Sequence, residues 1–131
     1  MSYAMVIDLV QPFDEVVSRV KQALVANGFG IVSEIDMQKT LKDKIGVEIE
    51  PQLILGACNP RFAHRALQAE PSIGLLLPCN VVVRHTAGVT VVEAINPDIL
   101  VTLTENPALG DLAIELTAAL NATLDVLRGA A

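Results

Sequence analysis

Apolar positions in this chain recur in two ways. Runs rich in β-branched residues predict strands, and recurrence at every third or fourth position predicts helices. Residues 3–10 (YAMVIDLV) are of the first kind, and Phe13, Val16, Val17, Val20 and Leu24 are of the second. Pro12 suits the first turn of that helix, and Asp14 and Glu15 meet its positive end. Asn27-Gly28 stops it, with Gly28 suited to a left-handed cap. Residues 29–35 (FGIVSEI) predict a second strand.

Asp36 is a helix cap before Met37, Leu41 and Ile45, and Gly46 closes that short helix. Residues 52–58 (QLILGAC) are nearly all apolar and predict a central strand. Asn59-Pro60 opens a helix that runs to about Glu70, where Pro71 ends it. The clearest hairpin spans 79–96, with Ala87-Gly88 as a two-residue turn. Its register puts Val81, Val83, Val92, Ala94, His85 and Thr90 on one face. Val82, Arg84, Thr86, Val89, Val91 and Glu93 share the other. Asn96-Pro97 starts a helical turn near 98–102, and Asn106-Pro107 starts the longest helix, about 108–128. Leu109, Leu112, Ala113, Leu116, Ala119, Leu120, Thr123, Leu124 and Leu127 form its stripe.

The order β-α-β-α-β-α-β-β-α predicts a single α+β domain over residues 1–131, with one mixed sheet packed against helices. Both hairpin faces are partly apolar. Helices would cover one, and a second copy of the chain would cover the other, so a homodimer is expected.

Composition narrows the function. The 131 residues are 52% hydrophobic and 18% charged, enough for a real core and too apolar for a disordered segment. The most apolar stretch, Ile73 to Val83, is broken by Gly74, Pro78 and Asn80, so no membrane span is expected. The start MSYAMVIDLV has no basic region, and no export signal is read there. Together with the small cysteine count of 2, this points to the cytoplasm, where thiols stay reduced. A net charge of −6 with no Trp, 1 Tyr and 3 Phe argues against a nucleic-acid partner, which needs a basic face or stacking platforms.

The candidate chemistry lies at strand ends. Cys58 sits in Gly56-Ala57-Cys58-Asn59-Pro60, and Cys79 in Leu77-Pro78-Cys79-Asn80. Each is followed by Asn and lies beside a proline turn. If the strand ends meet, a thiolate pair would bind a small ligand or soft metal ion, or do redox chemistry. Asn59 and Asn80 would orient the ligand, cap a helix or brace a turn. Cys58 also precedes a helix N-terminus, whose positive end favours a thiolate. The other reading is two inert core cysteines, since their spacing matches no standard metal motif. Glu34 and Asp36, two apart on one strand face, join the candidate site as cation ligands or acid–base groups. Against this, Asp36 is an ordinary cap and Glu34 an ordinary solvated acid. Lys39, Lys42, Lys44, Arg61 and Arg65 would frame an anion site or simply coat helix surfaces. His64 and His85 are the 2 histidines, and nothing in their spacing joins them. No phosphate loop, nucleophile elbow, H-E-x-x-H or Walker lysine is present, so no cofactor or catalytic residue is assigned.

Several segments together resemble a known family. These are Gly28-Phe29-Gly30, Glu34-Ile35-Asp36, Leu55-Gly56-Ala57-Cys58-Asn59-Pro60, Ala66-Leu67, Glu70-Pro71 and Gly74-Leu75-Leu76-Leu77-Pro78-Cys79-Asn80-Val81. They resemble the domain-of-unknown-function family 302, from about residue 4 to the final helix. The resemblance implies a compact α+β domain similar to the TATA-binding-protein-like β-α-β(4)-α arrangement, and a homodimer. It implies no activity. The expectation is a cytoplasmic homodimer that binds a small ligand or metal ion near Cys58-Asn59 and Cys79-Asn80. The alternatives are a thiol-dependent redox or sulfur-chemistry enzyme, and a module serving only assembly.

Overall fold

A computed structural model describes residues 3–129 of the chain. The elements run β1 Ala4–Leu9, α1 Phe13–Ala26, β2 Gly30–Asp36, α2 Met37–Ile45, β3 Gln52–Cys58, α3 Pro60–Ala69, β4 Cys79–Thr86, β5 Val89–Ile95, α4 Asp98–Thr104 and α5 Gly110–Leu127. The expected order is observed. Two 3-10 turns, Pro71–Leu76 and Pro107–Leu109, add to it. Local chemistry explains most boundaries. The Asp36 side chain accepts from the Lys39 amide at 2.9 Å, and Gly46 closes α2 with φ +68°. Ala87 and Gly88 take φ of 50° and 78°, the two positive values of a type I′ hairpin turn.

The five strands form one sheet in the order β1-β5-β4-β3-β2. Every pairing is antiparallel, so the sheet is not mixed as expected. The connections give the reason. Those through α2 and α3 return to the neighbouring strand, which reverses direction. Only α1 crosses the sheet, and it links two strands that lie at opposite edges.

One face carries the core. Ile7, Leu9, Leu53, Leu55, Ala57, Val81, Val83, Val92 and Ala94 meet Val16, Val20 and Leu24 of α1 and Leu112, Leu116, Leu120 and Leu124 of α5. The helix stripe read over 108–128 is buried along its length, with Ala119 partly so. Val6, Ile54 and Val82 point to the opposite face and lie outside that core. Arg84 and Glu93 pair there at 2.7 Å. Among the described residues, no helix is long and apolar enough to cross a membrane.

Candidate functional site

Cys58 ends β3 and Cys79 begins β4. Ala57 lies opposite Cys79 in the ladder, so Cys58 is one step beyond it. That offset corresponds to roughly 6 Å between their α-carbons. Strict alternation would send the two side chains to opposite faces. Yet β3 ends at Cys58, and both cysteines line the same cavity. Phe29, Phe62, Leu77 and Leu112 are among its other walls. The spot where the strand ends meet is therefore apolar rather than polar. Its volume is about 20 Å³. That is room for one water-sized particle and not for an organic molecule.

The two thiols stand in different surroundings. Cys79 is 4% exposed. Burial pushes its thiol up to about 11, and charge on the nearby Cys58 pushes the same way. Cys58 is half-buried. Both thiols are free.

Asn59 also lines the cavity, but its side-chain oxygen is occupied. It caps α3 by accepting from the Arg61 and Phe62 amides at 3.1 and 3.3 Å. Gly28, at φ +90°, closes over that cap, and a Cβ there would stand 3.0 Å from Nδ2 of Asn59. Gly56 serves a similar close approach, since a Cβ there would lie 2.7 Å from Pro78 Cγ and collide with the Ser33 side chain. The chain entering β4 is thereby held against β3.

The remaining candidate residues do not join the thiols. Asn80 is exposed, on the opposite side of the pleat from Cys79, beside a surface hollow it shares with Tyr3, Val82 and Glu93. Glu34 accepts from Lys21 Nζ at 2.9 and 3.1 Å. Asp36 acts as the α2 cap. It sits at the far end of β2 from Gly30, which is the residue opposite Cys58. Six residues of strand separate those ends by roughly 20 Å. Three of the five basic residues are in surface ion pairs: Lys39–Asp43 and Arg65–Glu115 at 2.6 Å, and Lys42–Glu48 at 3.6 Å. The hydrogen bond from Arg65 holds the Glu115 carboxyl below its usual range. Among the described residues, no group of three or more His, Cys, Asp and Glu side chains could hold a metal ion.

Sequence reasoning missed the wall of the cavity. Phe62 and Ala66 are four apart on α3, the spacing of an inward stripe, and that was the available signal. Arg65 stacks over the Phe62 ring at 5.7 Å and steadies that wall from outside.

Comparison with known proteins agrees with this architecture. No curated protein matches the chain. The crystal structure of an uncharacterised conserved DUF302 protein from Bacillus stearothermophilus superposes with a TM-score of 0.89 at 30% sequence identity. The match covers 95% of this chain and 98% of that one. The model of the domain of unknown function DUF302 matches residues 5–127, both cysteine segments included, and the chain belongs to that family.

Proposed function

We propose that this protein is a homodimer that binds a small soft ligand, a metal ion or a compact molecule with a soft atom, in the Cys58–Cys79 cavity. One observation carries the reading. Two thiols with 20 residues between them in sequence line a single cavity at the meeting of two strand ends. Thiolate sulfur selects soft partners. The cavity volume sets the partner's size. Asn59 acts by holding the start of α3 beside the site, and Asn80, Glu34 and Asp36 fall outside it.

Homodimer formation is supported by the uncovered sheet face with Val6, Ile54 and Val82. Cytoplasmic residence is supported by the two free thiols, which persist in a reducing compartment. With the three short helices set aside, the chain reads β-α-β(4)-α. That supports the TATA-binding-protein-like arrangement as architecture. The acidic balance of −6 keeps nucleic acid out of the reading. The thiol-enzyme alternative is weaker, because the buried Cys79 holds its proton at neutral pH and a protonated thiol is a poor nucleophile.

Native mass spectrometry of protein purified without chelator or reductant tests the reading. The expected result is a dimer with added mass per chain, and loss of that mass in Cys58→Ser and in Cys79→Ala. Added mass that survives both substitutions places the ligand elsewhere and overturns the reading.

A further inference from the structure

We infer that the occupant of this cavity is one monovalent soft cation of the copper(I) type, held by Cys58 and Cys79 alone. The inference rests on the cavity reading above and narrows it.

Size is the first constraint. About 20 Å³ admits one particle the size of a water molecule, so a bare ion fits and an organic ligand does not. Donor number is the second. Among the described residues, no third His, Cys, Asp or Glu joins the two thiols. The Asn59 oxygen is already committed to two backbone amides. Zinc asks for four ligands, and calcium and magnesium ask for six or more oxygens. Two sulfurs in an otherwise apolar wall satisfy only a soft ion content with two ligands. Copper(I) is the first-row ion of that kind.

Charge is the third constraint. Two thiolates lining one apolar cavity repel one another and are poorly solvated there. A cation between them removes the conflict. Binding is a proton exchange with no change of oxidation state. Each thiol loses its proton to solvent, two sulfur–copper bonds form, and the site carries a single negative charge. The N-terminal end of α3 begins right after Cys58 and favours that charge. Half-buried Cys58 supplies the entrance, and Cys79 receives the ion behind it.

The test uses the whole reduced chain without oxygen. Copper(I) is supplied as its acetonitrile complex in competition with a chromophoric copper(I) chelator, with zinc in a parallel titration. Expected are one copper per chain, two protons released, and no retained zinc. Cys58→Ser and Cys79→Ala should each weaken copper binding by more than about a hundredfold, beyond the loss typical of residues that only support a ligand. Circular dichroism confirms that each variant is folded, and Cys58→Ser decides the matter if Cys79→Ala is not. Unchanged copper affinity in folded Cys58→Ser overturns the inference. So does one copper per two chains, or retention of zinc in preference. Cysteine-dependent retention of some other ligand without copper overturns the copper assignment and leaves the cavity reading standing. Absence of any cysteine-dependent binding overturns both.

Discussion

A thiol keeps its proton when its surroundings cannot solvate the thiolate. Cys79, 4% exposed against Phe29, Leu77 and Leu112, is in that position. The consequence for stability has a definite sign. In the unfolded chain this thiol ionises near the ordinary value of 9.0, and in the folded chain only near 11. Its contribution to stability is therefore complete below pH 9 and is lost as pH rises toward 11. A separation of this size corresponds to about 3 kcal/mol at most. Urea unfolding of the wild type should show that decline between pH 9 and 11, and Cys79→Ala should show a shallower one. Parallel slopes for the two proteins would mean that Cys79 ionises alike folded and unfolded. The neighbouring Cys58 differs from Cys79 by one strand step and by burial. It lines the same cavity although strand alternation sets it opposite in the pleat to Cys79. The sequence shows the two Cys-Asn pairs but not this. Alternation along β4 does separate Cys79 from Asn80, and that much was available from spacing alone.

The caps and turns that bound the elements were legible because they act within four residues. Asp36, Gly46, Asn59 with Pro60, and Ala87-Gly88 all take the roles their types predict. Sheet order was not legible, since α1 carries the chain from one edge to the other and no local signal marks that distance. The turn Pro71–Leu76 was missed for a related reason: it lies in a run whose apolar residues read equally as strand or loop. Asn59 is where local and long-range order meet. It caps α3 and also stands under Gly28 of the α1–β2 turn. Asn59→Ala should cost about 1 kcal/mol of stability, the usual value of a lost cap. Because α3 supplies Phe62 to the cavity wall, the same variant should also expose Cys79 to alkylation sooner than in the wild type. Thermal melts and timed iodoacetamide labelling check the two effects. Loss of stability with unchanged labelling would show that the cap serves the helix and not the cavity.

At the scale of the described residues, the core cluster joins helices to one side of the sheet, and Val6, Ile54 and Val82 lie outside it on the other side. Five strands at about 4.8 Å spacing and six residues of about 3.4 Å give a face roughly 24 by 20 Å. Side-chain relief brings such a face toward the roughly 800 Å² per partner that a standard interface uses. Its centre holds apolar residues, and the Arg84–Glu93 pair on it is satisfied within one chain. Asp8 of the edge strand β1 shares this face opposite Val91, so two copies meeting at the centre would leave its carboxylate at the solvated rim. Val91 lies on this side but is only 6% exposed, so it is a poor probe of association. Val82 is better, because it is only partly buried on the same face. In a single chain an arginine at that position can extend into solvent, and the fold should tolerate it. In the dimer the same guanidinium would be driven into the apolar centre of the interface, at a cost of several kcal/mol. Val82→Arg should therefore sediment as a folded monomer at micromolar concentration, with a melting temperature at or somewhat below that of the dimeric wild type. A dimeric Val82→Arg would move the interface off this face. The two cysteines lie at one end of the sheet and are walled by helix residues, so the monomeric variant should keep its ligand affinity. If affinity falls with the dimer, the cavity is completed by the partner, and association and binding are one function.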